Sequence, residues 1–184
     1  MIRGRSFYYW AWDPVEGCRH GCKYCYARRE VTAKYGDFEP RFFEERLMEP
    51  FEVDPSSIFV NHLCDIMGDW VPVTWIKKIL DVCYLLPEHT FLWMTKNPQR
   101  YYDFAFPGNC VLGVTIESPL QWNRAEIMSG IQSRKMASCE PLQGSFKGYD
   151  FSQFEYVVAG GLLGRGKSRF LNSISHPNLI KKKR

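Results

Sequence analysis

The chain has 184 residues, of which 45% are hydrophobic and 16% aromatic. This length and composition supply one substantial core, so they exclude a disordered tail and a disulfide-stapled miniprotein. The formal net charge is +4, and all four of these charges lie in the last four residues, Lys181–Arg184. The rest of the chain is formally neutral, which excludes a basic protein that coats nucleic acid through charge alone.

In chain order, strands and helices are predicted to alternate. The prediction is a strand at Phe7–Trp12, a helix at Ala27–Lys34, a strand at Ser57–Asn61, a helix at Val73–Leu86, a strand at Phe91–Thr95, a helix opened by Pro98, a strand at Val111–Ile116, a helix near Gln121–Met128, and strands at Lys135–Cys139 and Tyr156–Ala159. Alternation of this kind is typical of a parallel sheet built from βαβ units.

The number of units is set by the length of the chain. At about 30 residues per unit the chain holds roughly six, whereas a complete eight-stranded barrel takes about 250 residues. We therefore predict an α/β fold, a partial (β/α)6 TIM-like barrel that is open, with parallel strands. Residues 1–170 are expected to form this single domain. Residues 171–184, which contain no acidic residue, are expected to be a basic, flexible tail.

The cellular context follows from what the sequence does not contain. It has no uninterrupted apolar stretch of about 18 residues, and no apolar region follows Met1–Arg5. We expect no membrane span, no secretory signal and a cytoplasmic location. Seven cysteines are present, an odd number. In a cytosolic chain such cysteines favour metal ligation or chemistry over a disulfide framework.

Polar side chains follow the predicted strands at the points where the apolar runs stop. Parallel α/β sheets carry their functional residues at the carboxyl ends of the strands. The candidate site residues chosen on this rule are Asn61, Asp65, Thr95, Lys96, Thr115, Glu117 and Glu140.

Three cysteines, Cys18, Cys22 and Cys25, have the spacing C-x3-C-x2-C. Thiolates this close together in one loop can hold an iron–sulfur cube, and Gly21 permits the tight backbone that such a loop needs. Three ligands for four irons leave one iron open to a reacting molecule. The alternative is a structural zinc site, with His20 or His62 as the fourth ligand, in a zinc-stabilised module that binds nucleic acid. The other four cysteines are isolated in sequence and offer no second zinc-binding pair.

A second motif, Gly161–Ser168, formally matches the P-loop pattern G-x4-G-K-S and follows a predicted strand. A P-loop nucleotide binder is therefore a further alternative. Only 16 residues follow Ser168, and none of them is acidic, so the usual magnesium ligand on a later strand is absent. A glycine-rich turn whose backbone approaches an adenine or an anionic part of the substrate is the favoured interpretation.

Taken together, these motifs resemble the radical S-adenosylmethionine superfamily, and more closely a phage-type three-Cys-motif group within or beside it. The cysteine loop, with Tyr24 just before the last cysteine, carries most of this resemblance. Shorter matching stretches follow in order along the chain, at Trp12–Cys18, Cys25–Ala27, Phe59–Asn61 with Asp65, Leu92–Pro98, Leu112–Glu117, Ser138–Leu142 and Val157–Gly161. An acidic residue expected after the glycine pair is replaced by Leu162.

The resemblance implies a chemistry. The three cysteines would hold a [4Fe–4S] cluster, whose open iron binds S-adenosylmethionine. One electron, from a flavodoxin- or ferredoxin-type donor, would cleave that molecule to a 5′-deoxyadenosyl radical that takes a hydrogen atom from the substrate. The substrate is expected to be a nucleotide or a nucleic acid. A protein partner is expected to complete the open barrel.

The resemblance also implies roles for the candidate residues in binding S-adenosylmethionine. Tyr24 would contact the adenine, and Asn61 and Asp65 would hold the methionine amino group. Glu117 or Glu140 would accept the ribose hydroxyls, and Arg124 would bind the carboxylate. The same cofactor-binding set includes Lys96, Thr115, Gly160 and Gly161.

Overall fold

The computed structural model describes residues 2–3, 8–161 and 171–181. Ten strands are present in this part of the chain: β1 (Ile2–Arg3), β2 (Trp10–Trp12), β3 (Val15–Glu16), β4 (Arg41–Phe42), β5 (Ser57–Val60), β6 (Thr90–Thr95), β7 (Cys110–Thr115), β8 (Arg134–Cys139), β9 (Tyr156–Ala159) and β10 (Leu179–Lys181). Eight of them form one sheet in the order β1-β2-β5-β6-β7-β8-β9-β10, and β3 pairs with β4 in a separate antiparallel ribbon.

Seven strands of the large sheet, β2 and β5 to β10, run parallel and form an open half-barrel. The remaining strand, β1, pairs antiparallel with β2 at one edge. This arrangement confirms the predicted α/β fold with an open, partial TIM-like barrel. The seventh parallel strand, β10, lies within the stretch 171–184 for which a flexible tail is expected.

Three α-helices are described: α1 (Tyr26–Tyr35), α2 (Val73–Leu85) and α3 (Asn123–Ser129). α1 ends at Gly36, which has a left-handed φ of 83° that glycine adopts without strain. α2 begins directly after Pro72 and buries Ile76, Ile79 and Cys83 at helical spacing. Short 3-10 helices occur at Glu44–Glu52, Pro98–Asp103, Pro119–Gln121 and Leu171–Ser173.

The two faces of the half-barrel carry different clusters because successive side chains of a strand point to opposite faces. Ile58, Phe91 and Trp93 belong to the main core, which includes the buried face of α2. Phe59 and Leu92, one position along, belong to a smaller cluster with Val111, Met136 and Val158. Both faces are thus apolar, as is usual for parallel strands.

Two predicted helices differ from the observed elements. The helix expected from Pro98 is a 3-10 helix of six residues, Pro98–Asp103. The helix expected near Gln121–Met128 is divided into the 3-10 turn Pro119–Gln121 and α3. Ser118 forms a capping box with Gln121, so the helical structure begins earlier than predicted. Of the P-loop-like stretch Gly161–Ser168, all residues after Gly161 lie outside the described part. No helix in the described ranges is long and apolar enough to cross a membrane.

Candidate functional site

A cavity of about 270 Å³ lies at the carboxyl ends of the central strands. Asn61 follows β5, Lys96 follows β6, Thr115 ends β7 and Ser138 is the second-to-last residue of β8. All four line the cavity. The position is the one expected for a functional site in a parallel α/β sheet. Its residues come from parts of the chain that are far apart in sequence.

The cysteine loop forms one wall of this cavity. Cys18, Cys22 and Cys25 all line it, all are half-buried, and all are free thiols. The loop is anchored by two backbone hydrogen bonds, in which the N–H of Cys18 donates to Phe38 O (3.0 Å) and the N–H of Cys25 donates to Cys22 O (3.2 Å).

Two glycines shape the loop. Gly17 has a φ of 96°, and Gly21 has a φ of 68°, both in the left-handed region. Gly17 has a second reason to be glycine, since a Cβ there would lie 2.2 Å from the backbone oxygen of Glu39. Glycine is therefore needed at Gly17 both for conformation and for space, and at Gly21 for conformation alone.

The third cysteine is also the N-cap residue of α1. The backbone N–H of Arg28 donates to Cys25 Sγ at 3.4 Å. A helix N-terminus presents N–H groups without partners in the helix, and here one of them holds the sulfur atom in place. Burial raises the pKa of the Cys18 and Cys22 thiols, and for Cys22 the charge of Lys96 acts in the opposite direction.

The donor set of this wall is of the kind that an iron–sulfur cluster takes. Three thiols of one loop face the same cavity, and thiolates are the ligands that such clusters take. Within the described ranges, no three His, Cys, Asp or Glu side chains lie close enough together to hold one metal ion.

Asp65 ties the cysteine loop to the sheet. Its buried carboxylate accepts hydrogen bonds from Thr95 Oγ1 (2.6 Å), the Lys96 N–H (2.8 Å) and the Met67 N–H (3.2 Å). A fourth contact joins Asp65 Oδ2 to His20 Nε2 at 2.7 Å. Burial alone would raise the pKa of Asp65, but the bonds from His20, Thr95 and Lys96 outweigh it and lower that pKa. A carboxylate only accepts, so His20 Nε2 carries the proton.

Glu117 is the centre of a second polar network. Its carboxylate accepts from Tyr24 OH, from Lys96 Nζ and from Arg124 Nη1, the last at 2.8 Å. Burial would raise the pKa of Glu117, but the Lys96 ammonium, the hydrogen bonds and Arg124 lower it. The same surroundings raise the pKa of Tyr24, first by burial and then by the bond to Glu117. Arg124 also donates to Thr115 O (2.7 Å).

The candidate residues divide into two groups by position. Tyr24, Asn61, Asp65, Lys96, Thr115, Glu140 and Gly161 line the cavity together with the three cysteines. Glu117, Arg124 and Gly160 are not among the described residues that line it. Glu117 and Arg124 are joined to the wall through Tyr24 and Lys96, which makes them supports of that wall.

Asn61 has an unusual conformation and an unused donor. It is buried, its φ is 57°, and its Oδ1 accepts the Val15 N–H at 2.9 Å. That bond fixes the orientation of the amide, and Nδ2 has no hydrogen-bond partner among the residues that the structure describes. Backbone strain and orphaned donors are frequent where a ligand binds. Nδ2 can only donate, so a contact made through it would be with an oxygen or another acceptor. The predicted role of Asn61 toward the methionine amino group stays a prediction.

Sequence reasoning missed a histidine–aspartate pair of which one member, His62, lines the same cavity. His62 Nδ1 lies 2.5 Å from Asp13 Oδ2, and Asp13 Oδ1 accepts the Leu63 N–H at 2.9 Å. Asp13 follows β2 and His62 follows Asn61 at the end of β5, so the rule that selected the other strand-end residues applies to both. His62 entered the sequence interpretation only as a zinc ligand. Cys64, which is isolated in sequence from the other cysteines, also lines the cavity.

The fold and site define the class of protein: a parallel α/β half-barrel with a cysteine-lined cavity at the carboxyl ends of its strands. The chain belongs to the family described as "Protein of unknown function (DUF5131)", whose sequence model matches residues 6–173. A comparison with curated proteins found no match. The resemblance to the phage-type three-Cys-motif group stays a prediction.

Two solved structures have a similar fold. One is "Spore photoproduct lyase complexed with dinucleoside spore photoproduct", at 15% identity and a TM-score of 0.61, covering 77% of this chain and 48% of that chain. The other is a cysteine-to-alanine mutant of spore photoproduct lyase with dinucleoside spore photoproduct, at 14% identity and a TM-score of 0.59, covering 86% of this chain and 57% of that chain. This chain thus spans about half the length of the structures it matches. At these identities the likeness establishes the fold.

Proposed function

We propose that the chain is a radical S-adenosylmethionine enzyme. The observation that carries the proposal is the loop of three cysteines, whose free thiols share one wall of the cavity at the carboxyl ends of the parallel strands. Spore photoproduct lyase, whose fold the chain shares, is itself a radical S-adenosylmethionine enzyme, which supports the same assignment.

Cys18, Cys22 and Cys25 would hold a [4Fe–4S] cluster. When bound, the cluster supplies an electron to S-adenosylmethionine and so generates a radical that takes a hydrogen atom from the substrate. The chain's own contribution is to hold the loop in place. Asp65 does this through His20, and Glu117 does it through Tyr24.

The rest of the cavity would bind S-adenosylmethionine and the substrate. Asn61 Nδ2 offers a buried donor for an oxygen of the ligand, a carboxylate or a hydroxyl. Lys96 Nζ, held between Tyr24 and Glu117, adds positive charge at the wall. Of the two acidic candidates, Glu140 lines the cavity and Glu117 does not, so Glu140 is the one placed to accept ribose hydroxyls.

A nucleotide or a nucleic acid is the proposed substrate class. Both similar structures contain a dinucleoside, which supports a substrate of this chemistry. The reaction needs a low-potential electron donor of the flavodoxin or ferredoxin type, and the chain is proposed to work in the cytoplasm. We propose residues 1–170 as the catalytic domain, with β10 of the following segment added at the edge of its sheet. A protein partner is proposed on the open side of the half-barrel.

The test is anaerobic reconstitution of the full chain with iron and sulfide. We expect about four irons per chain, a reduced cluster visible by electron paramagnetic resonance, and a change in that signal when S-adenosylmethionine is added. The reduced protein should then release 5′-deoxyadenosine. One bound zinc with no sulfide would overturn the proposal in favour of a zinc-stabilised module.

Two cysteine-to-alanine variants make the test specific. Cys22→Ala removes a proposed ligand, so iron content and the resonance signal should fall to background. Cys83→Ala is the matched control, since Cys83 is buried in α2 and does not line the cavity. It should keep its iron. Equal iron content in the two variants would contradict the assignment of the ligands.

A further inference from the structure

The cavity contains a histidine that the proposed cofactor site does not use. His62 lines the cavity, and its side chain is 14% exposed. The side chain of Asp13 is 8% exposed, and its Oδ2 lies 2.5 Å from His62 Nδ1. Both partners follow strands of the half-barrel, β2 and β5, so the pair is built on the rigid part of the fold rather than on the cysteine loop.

The hydrogen bonds define which nitrogen is free. A carboxylate only accepts, so the proton of the neutral ring lies on Nδ1, and Nε2 is left as an acceptor. Within the described ranges Nε2 has no hydrogen-bond partner. Asp13 is fixed in turn by the Leu63 N–H on its other oxygen, and the Tyr26 ring stacks on the imidazole at 6.0 Å between centroids. The ring is thereby held in one orientation.

The conformation of the preceding residue supports a functional role. Asn61 takes a left-handed φ of 57°, and its N–H and side chain are both bonded, to Trp12 O (2.7 Å) and to the Val15 N–H (2.9 Å). This turn at the end of β5 brings His62 next to Asp13. Strain of this kind in a non-glycine residue persists where surrounding contacts hold it, and it is concentrated at functional sites.

We propose that His62, oriented by Asp13, is a proton-accepting residue that contacts the substrate. Nε2 takes a proton from an N–H or O–H group of the molecule in the cavity: the Nε2–H bond forms, the substrate bond breaks, and its electron pair stays on the substrate. The Asp13 carboxylate stabilises the resulting imidazolium. The substrate class is thereby narrowed to molecules with such a group, including nucleobases with a ring N–H. Only the identity of the substrate in this inference rests on the proposed function; the pairing of His62 with Asp13 does not.

The first measurement is the acylation of each histidine by diethyl pyrocarbonate at pH 8, followed by peptide mass spectrometry on the reconstituted full chain. His89 and His176 are internal controls, because both ring nitrogens of each lie in hydrogen bonds. His62 should react about tenfold faster than either control, since its Nε2 has no bond to break. A His62 rate equal to theirs would overturn the proposal.

A matched pair of variants tests the role of Asp13. In Asp13→Asn the amide can donate to Nδ1, which moves the ring proton to Nε2 and removes the free acceptor. The rate at His62 should fall by about tenfold or more. Asp150→Asn, at an exposed carboxylate that binds Ser152, should leave it unchanged. An unchanged rate in Asp13→Asn would overturn the pairing.

The last measurement separates substrate from cofactor. Thymidylyl-thymidine, whose bases carry a ring N–H, is added at concentrations where tryptophan fluorescence shows binding. It should protect His62 from acylation about tenfold, and S-adenosylmethionine alone should not. Protection by S-adenosylmethionine alone, or binding of the dinucleotide without protection, would overturn the assignment to the substrate. Absence of dinucleotide binding would count against the proposed substrate class, and the Asp13→Asn rate would still decide the pair.

Discussion

Gly17 is the position where one added methyl group should do most harm to the cysteine loop. Its φ of 96° is strained for any residue with a Cβ, at about 1–2 kcal/mol. That Cβ would also lie 2.2 Å from the Glu39 oxygen, a backbone atom that cannot rotate away, and relieving the overlap adds about 1–3 kcal/mol. Gly17→Ala should therefore destabilise the protein by about 3 kcal/mol, or about 6–12 °C in Tm.

Gly21→Ala is the matched control. Gly21 belongs to the same loop and has a φ of 68°, but a Cβ there meets no atom within 4 Å. The expected loss is about 1 kcal/mol, from conformation alone. Urea unfolding followed by tryptophan fluorescence measures both, and iron content after reconstitution should fall further in Gly17→Ala because Cys18 is displaced. Equal destabilisation by the two substitutions would refute the argument from the Glu39 contact.

Three further substitutions test other parts of the structure by urea unfolding. Asp65→Asn places an amide donor among N–H and O–H donors and should cost about 2–4 kcal/mol, whereas Asp150→Asn should stay within about 0.5 kcal/mol; similar losses would contradict the role of the buried carboxylate. Gly113→Ala places a Cβ 2.4 Å from a backbone oxygen of β6 and should destabilise the protein by about 2 kcal/mol. An unchanged stability would show that β6 and β7 can move apart to accept the methyl group. The Arg134 hydrogen bond lowers the pKa of Glu155, so Glu155→Gln should lose up to about 1 kcal/mol at pH 7 and the loss should disappear below about pH 4; a loss that persists at low pH would contradict an ionic origin.

The strands that the sequence predicted are those with continuous apolar runs. β5 to β9 lie in the middle of the sheet, are buried on both faces, and so carry the pattern that marks a parallel strand. β1, β3 and β4 have two residues each, too few for a pattern to show. β10 was assigned to a tail because residues 171–184 contain no acidic residue and end in four basic ones, while its pairing with β9 is a tertiary contact.

In the candidate site, as in the sheet, the sequence predicted the features that depend on neighbouring residues in the chain. The spacing of the cysteines in the loop is a local signal, and the strand-end rule found Asn61, Asp65 and Lys96. What each side chain bonds to is not local. Asp65 meets His20, 45 residues earlier, and Asp13 meets His62, 49 residues later. Hydrophobic periodicity carries no information about contacts between residues so far apart in sequence. The sequence could therefore identify polar residues at the cavity, but not which of them bond to one another in the folded protein.

The ends of the sheet bear on how another chain could attach to it. Among the residues that the structure describes, β1 has two and β10 has three, the last of them the exposed Lys181. Short, charged border strands offer few free N–H and C=O groups in line, so they resist the edge-to-edge addition through which sheets polymerise. A second protein that pairs with the described part of either edge should therefore gain few backbone hydrogen bonds there, and contacts between side chains should contribute more of its binding.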